Sequence, residues 1–279
     1  INGNNVLDFN NDGCDIQDIS FPRLKLNLVS NNVPISFIPD EFGQYSISVL
    51  EGNYNLISSL ENPSYFNITP SSVSVTFPDD PSPFIQNFCI TPNGNHPDLE
   101  ISILPLTPAR PGFDTKCKLF YKNKGNQLQS GSFSLTFNDN VLDLVSSVPL
   151  QNTISGNMLS WNFTDLSPME SREVMVVFNA NTPTESPALN ANDVISFTAN
   201  ITSALVDEIP IDNIFNLNQT VVNSYDPNDK TCLQGKTVSS EVIGEYVHYL
   251  IRFENTGSYN AQNITVTDYI DTSKFDIST

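Results

Sequence analysis

An all-β chain built from tandem β-sandwich modules is what this sequence predicts, on three observations. Apolar and polar residues alternate with a period of two through most of the chain, and no window shows the i, i+3, i+4, i+7 face of a helix. Nineteen prolines and many Asn-Gly, Asn-Asp and Asp-Asn pairs interrupt that alternation, at the spacing of about eight to twelve residues typical of short sandwich strands and their turns. Hydrophobic residues make up 39 % and charged residues only 15 %. The polar remainder is Asn, Ser, Thr and Asp, which suits strands and turns better than helices rich in Glu, Lys, Ala and Leu.

The strands follow in order. Leu24, Leu26 and Leu28 alternate with Lys25 and Asn27; Tyr45, Ile47 and Val49 with Ser46 and Ser48; Val73, Val75 and Phe77 with Ser and Thr. Further along come Phe133 to Phe137, Val174 to Phe178, Ile195 to Thr198, Tyr246 to Phe253 and Ile264 to Thr267. Two Pro- and Asn-rich clusters, Thr91 to Pro97 and Asn223 to Asp229, read as linkers. They divide the chain into residues 1–93, 94–223 and 224–279, a number of modules that fits the length. An internal repeat supports the last division. Tyr121, Asn123 and Gly125 stand 132 positions before Phe253, Asn255 and Gly257. Each set reads as a hydrophobic strand ending in an Asn-x-Gly turn, with the glycine expected at positive φ. Residues 224–279 are about half of a sandwich, so the third part is expected to be the truncated start of a second copy of the middle module. Ile1 in place of Met, and a strand-like pattern that runs to Thr279, are read as a processed or partial piece of a longer protein.

Charge narrows the function. There are 31 acidic and 12 basic residues, a net charge of −19 and a pI near 4.1. Such a chain repels phosphate, which argues against nucleic acid and against anionic membrane surfaces, and it attracts hard cations. No run of 18 apolar residues is present, so no bilayer-spanning segment is expected. The four cysteines, Cys14, Cys89, Cys117 and Cys232, form no CxxC pair, and their wide spacing suits an oxidising, extracellular compartment rather than zinc binding.

Asp8-Phe9-Asn10-Asn11-Asp12-Gly13 places oxygen side chains at relative positions 1, 3 and 5 and glycine at 6. That alternation turns successive oxygens toward one point. Calcium is the expected ion. Asp8, Asn10 and Asp12 would be its first ligands, the Cys14 carbonyl follows, and Asp15 and Asp18 supply later carboxylates, with Asp18 as the fourth side chain. No Glu closes the loop at position 12, which is Ile19, so this is not an EF-hand. The competing reading is an Asx-rich turn without an ion. Cys14 follows the loop and Cys89 lies on the expected last strand of the same module, so a Cys14–Cys89 disulfide is predicted, with Cys117 and Cys232 free. Asp226, Asn228 and Asp229 form a further acidic group, read as an Asx-Pro turn more readily than as a second calcium site.

Two resemblances add to this. The DxNxDG run, Phe21 to Leu26, Phe42-Gly43-Gln44-Tyr45 and Glu51-Gly52-Asn53-Tyr54 together resemble the B-type modules of Sdr-family surface adhesins. They are also similar to carboxypeptidase-regulatory, transthyretin-like domains. The resemblance covers roughly residues 3–90 and implies a small sandwich. In Sdr modules the two acidic residues after the glycine fall one place later than Asp15 and Asp18 do here. Ala109 to Gly112, Tyr121 to Gly125, Tyr225 to Lys230, Tyr246 to Tyr249 and Asn255 to Gly257 resemble Ig-like repeats near the C-termini of large Bacteroidota surface proteins. That resemblance implies export by the type IX secretion machinery, with the modules acting as spacers between a head and a sorting tail.

Catalysis finds little support. His248 sits in an alternating strand, His96 in a linker, and no Gly-x-Ser-x-Gly elbow occurs. Trp161, in Leu159 to Phe163, is expected in a core rather than on a sugar-binding face. Five sequons, at Asn67, Asn162, Asn200, Asn218 and Asn263, would be glycosylated in a eukaryotic secretory route and are coincidental in a bacterial one. The expected function is a non-enzymatic extracellular stalk on a cell surface. An adhesin that binds glycan or a surface protein through its loops is the alternative.

Overall fold

The computed structural model describes residues 1–223, 229–235, 237, 245–255, 257–262 and 264–275. Its first nine strands are β1 (Asn2–Leu7), β2 (Ile19–Ser20), β3 (Lys25–Ser30), β4 (Val33–Phe37), β5 (Gln44–Ser46), β6 (Gly52–Ser59), β7 (Phe66–Thr69), β8 (Ser72–Phe77) and β9 (Phe88–Pro92). They form two sheets, one ordered β2-β1-β9-β7 with β5 also on β1, the other β4-β3-β6-β8. The pairings are antiparallel apart from β1 with β9, where Val6 stands opposite Cys89. The alternation seen in the sequence is the reason the sheets stack. Leu24, Leu26 and Leu28 are buried while Lys25 is exposed, and they meet Leu7, Phe66, Phe88 and Ile90 of the facing sheet in one core.

A second sandwich follows, made of β10 (Leu99–Pro105), β11 (Asp114–Asn123), β12 (Gln129–Thr136), β13 (Leu142–Val148), β14 (Thr153–Ser155), β15 (Met158–Leu166), β16 (Ser171–Ala180), β17 (Val194–Ser203) and β18 (Ile214–Thr220). Its sheets run β10-β11-β16-β13 and β14-β15-β12-β17-β18. Leu119, Val174, Val176 and Phe178 from one sheet pack on Phe133, Leu135, Phe197 and Ile201 from the other. Trp161 is a core residue as expected, stacked on Phe133 with ring centroids 5.2 Å apart and its indole N–H donating to Pro149 O at 3.1 Å. The remaining strands, β19 (Asp229–Cys232) and β20 (Tyr249–Arg252), form a two-stranded ribbon.

Three expectations change. The strand expected over Tyr246 to Phe253 is confined to β20, and Ile264 to Thr267 is not a strand. Leu250, Ile251, Phe253, Ile264 and Val266 are all exposed: among the described residues no facing sheet covers them, and isolated two-stranded ribbons are marginal in water. Gly125 is not at positive φ. It is required for a different reason, since a Cβ there would lie 2.2 Å from His96 O and 2.7 Å from Asp98 N. Finally, Thr91 to Pro97, expected as a linker, is hydrogen-bonded to both sandwiches. β9 extends to Pro92, Asn93 N–H donates to Tyr65 O at 2.8 Å, and His96 N–H donates to Asn126 Oδ1 at 2.8 Å.

Candidate metal centre

The loop after β1 begins with Asp8, whose backbone N–H still belongs to the sheet, donating to Ile90 O at 2.8 Å. The Asp8 side chain is buried, and its two carboxylate oxygens accept N–H bonds from Asp12 at 3.2 Å and Gly13 at 3.1 Å. Gly13 has φ +103°, the left-handed region in which glycine carries no side-chain penalty. The chain therefore wraps around the Asp8 carboxylate. Asp8, Asp12 and Asp18 each bring a carboxylate oxygen within 4.8 Å of the other two.

The other predicted ligands take different places. The Asn10 side-chain amide lies on Asp12, accepting its backbone N–H at 3.2 Å and donating Nδ2–H to its Oδ2 at 3.0 Å. Asp15 stays outside the carboxylate group: its Oδ1 accepts Gln17 N–H at 2.7 Å, and its own N–H donates to Asp18 Oδ2 at 2.7 Å. Asp15 thus fixes the turn that carries Asp18 inward. Cys14 is joined to Cys89 in a disulfide, as predicted, and Cys117 and Cys232 are free. The bridge ties the acidic loop to β9. Of the further acidic group, Asp226 and Asn228 lie outside the described residues, and Asp229 is paired with Arg252 across the ribbon.

β9 leads from the disulfide into the junction with the second sandwich, which the sequence reading did not anticipate as a contact surface. Asn126 Nδ2 donates to Tyr65 O at 2.7 Å and to Gly94 O at 3.2 Å. Asn62 Nδ2 donates to Lys124 O at 3.0 Å. The His96 ring stacks on Tyr65 with centroids 4.3 Å apart and pairs through Nδ1 with Glu208 Oε1 at 2.7 Å. Lys122 pairs with Glu61. Met169, on the turn before β16, is buried in the core of the first sandwich rather than in its own. The signals were present as single residues, a Met in a polar turn and Asn in a loop, without a period to mark them.

A domain-family model described as a domain of unknown function, DUF7619, matches residues 226–279. No curated protein matches the chain. Among solved structures, the major pilin subunit BcpA of Bacillus cereus is 10 % identical and aligns over 96 % of this chain and 92 % of its own, with a TM-score of 0.34. A CARDB domain from Pyrococcus furiosus, solved in complex with di-metal ions, is 14 % identical over 46 % of this chain and 96 % of its own, with a TM-score of 0.33. A cohesin module of a family 33 glycoside hydrolase from Clostridium perfringens is 9 % identical over 47 % of this chain and 99 % of its own, with a TM-score of 0.32.

Proposed function

We propose that this chain is a non-enzymatic extracellular spacer in which calcium stiffens the first sandwich. The observation that carries the reading is the bonded junction. Side chains from Asn62, Tyr65, His96, Asn126 and Met169 join the two sandwiches, so a load on one passes to the other without a free hinge between them. The Cys14–Cys89 disulfide continues that path into the acidic loop and fits an oxidising compartment. By the loop-entropy model a bridge of this span contributes about 4 kcal/mol.

The loop fits a hard cation by its donors. Asp8, Asp12 and Asp18 converge, all are oxygen ligands of the kind calcium prefers, and the buried Asp8 carboxylate has only N–H donors to balance its charge. Asp8, Asp12 and Asp18 would hold the ion, with Asn10 turning its oxygen to it. The ion supplies charge neutralisation that locks the loop. Both histidine rings serve structural bonds, His96 with Glu208 and His248 Nδ1 with Gln234 Nε2 at 3.0 Å. A hollow of about 520 Å³ beside β5 holds Asp40, whose Oδ1 already accepts the N–H groups of Phe42 and Gln44. Among the described residues no helix is long and apolar enough to cross a membrane. The motif resemblance supports reading the chain as part of a type IX secretion substrate displayed at the cell surface.

Small-angle scattering of the full chain in calcium tests the spacer. The expected radius of gyration lies well above the roughly 19 Å of a single compact domain of this length, and a value near 19 Å would overturn the reading.

A further inference from the structure

Another group of carboxylates lies at the junction, apart from the Asp8 loop, and the sequence reading did not assign it. Asp98 stands at the head of β10 and is fully buried, 0 % exposed. Its Oδ1 has no hydrogen-bond partner, and its Oδ2 receives only a long bond from Asn62 Nδ2 at 3.5 Å. A buried carboxylate oxygen without a donor is costly, and buried charges are normally paired or bound to a metal. Asp207 and Asp212 come from the loop between β17 and β18, and each places a carboxylate oxygen within 4.8 Å of the others and of Asp98. Asp212 Oδ1 is a second buried oxygen without a partner, and so is Oδ1 of the adjacent Asn213.

The loop is held over β10 by the Asp207 carboxylate and the Asp212 carbonyl. Leu99 N–H donates to Asp207 Oδ2 at 2.8 Å, Ile209 N–H to Asp207 Oδ1 at 2.8 Å, and Ile101 N–H to Asp212 O at 3.1 Å. Lys124 is the cation at the site, 2.8 Å from Asp212 Oδ2 and 3.9 Å from Glu100. One ammonium faces the carboxylates of Asp98, Asp212 and Glu100, and it leaves Asp98 Oδ1 and Asp212 Oδ1 unserved. From this we propose that Asp98, Asp207 and Asp212 bind a calcium ion that fastens the β17–β18 loop to β10 at the junction of the two sandwiches.

The donors are all hard oxygens from separate segments, with no thiol or imidazole in the group, which suits calcium with its flexible coordination better than a transition metal. Burial pushes the Asp98 carboxyl up to about 6; Lys124 opposes the rise, and Asp212, Asp207 and Glu100 add to it. A divalent ion would supply the positive charge that this environment lacks. It would also stiffen the junction, because Asn62 of the first sandwich reaches both Asp98 and Lys124 O.

Calorimetric titration of the chelator-stripped full chain with calcium chloride tests the site, beside two double variants, Asp98→Asn with Asp212→Asn and Asp8→Asn with Asp12→Asn. The first variant is expected to lose one equivalent of calcium relative to the native chain, whatever the Asp8 loop does. The second is expected to keep that equivalent and a calcium-dependent rise in Tm of several degrees. If the Asp8 loop binds nothing, the second variant titrates like the native chain and the junction site stands. Equal calcium uptake by the native chain and the Asp98/Asp212 variant would overturn the proposal. Should that variant fail to fold, the Asp8/Asp12 variant decides alone, because a Tm indifferent to calcium refutes the site. A magnesium response as large as that to calcium would overturn the choice of ion. An intact mass lighter by one water, from an amide between Lys124 and Asp212, would also overturn it, since Asp212 would then have no free carboxylate.

Discussion

The Asn-x-Gly turns at Asn123 and Asn255, 132 positions apart, make the same bonds in opposite surroundings. Asn123 Oδ1 accepts Gly125 N–H at 3.0 Å, and Nδ2 donates to Gln127 O at 2.7 Å. Asn255 Oδ1 accepts Gly257 N–H at 3.0 Å, and Nδ2 donates to Tyr259 O at 2.6 Å. The turn is therefore a local device, closed by an Asn side chain within five residues. What differs is the cover. Asn123 is fully buried and adds a bond to Leu166 O at 2.9 Å, while Asn255 is exposed. Tyr121 packs on Phe133 and Phe163, whereas its counterpart Phe253 is 51 % exposed. Burial is supplied by β12 and β15, strands distant in sequence, and the stability of a shared motif is set by that supply.

The largest break in the comparison should come from Asn123→Ala. It takes a donor from the buried Leu166 carbonyl and from the half-buried Gln127 carbonyl, while Gly125 N–H keeps its bond to Asp98 O at 3.1 Å. Unsatisfied buried groups cost about 1–3 kcal/mol each, so a loss of about 2 kcal/mol is expected from urea unfolding of the second sandwich. Gly125→Ala should cost a similar amount, because its Cβ would collide with His96 O and Asp98 N, both backbone atoms unable to swing away. A loss below about 1 kcal/mol for either variant would mean that the first copy is no better supported than the second.

A smaller effect should appear in acid. Asn123 N–H donates to Glu170 O at 3.0 Å, so the first turn leans on the Glu170 segment. Burial raises the Glu170 carboxyl pKa, but hydrogen bonds from Arg172 and the Ser167 N–H outweigh it, and the net pKa is lowered. Arg172 holds the same region through bonds to Thr164 O and Asp165 O. A carboxylate with a lowered folded pKa contributes stability that is fully present above its unfolded pKa. That stability is lost as pH falls through the folded value. Stability of the second sandwich should therefore fall through this group as pH drops from the ordinary glutamate range through the lowered folded value. Glu170→Gln should flatten that part of the profile, and an unchanged profile in the variant would remove Glu170 as its source.

The two copies also show what the sequence made legible. Period-two alternation placed the buried faces of β3, β12 and β16, because each strand has one wet face and one dry face. The positions of Asp8, Asp12 and Asp18 were readable because the loop is local, and so was the disulfide, because Cys14 follows β1 and Cys89 lies on the neighbouring β9. Asp98, Asp207 and Asp212 were not readable. They converge only once β10 lies beside the β17–β18 loop, and no spacing along the chain encodes that. Gly125 was legible as a required glycine but not for the right reason, since its constraint comes from the backbone of His96 and not from its own φ. Ile264 to Thr267 carried the alternation of a strand without the neighbours that make one.

The smallest effect, and the one that sharpens the comparison most, is expected from Asn255→Ala. The same two side-chain bonds are lost as in Asn123→Ala, but the freed Gly257 N–H and Tyr259 carbonyl can turn to water, so the desolvation penalty is absent. The cost should stay below about 0.5 kcal/mol, within the range of ordinary surface substitutions. Global Tm should not move, while amide hydrogen exchange at Gly257 should quicken because its protecting acceptor is gone. Arg110 is the described residue that ties the second sandwich to this region, with its guanidinium over the rings of Phe113 and Tyr259 and a bond to Gln262 Oε1 at 3.0 Å. If Asn255→Ala cost as much as Asn123→Ala, the second turn would have to be buried in solution against a partner strand or chain. The exposed apolar residues Phe253, Ile264 and Val266 would then be its inner face.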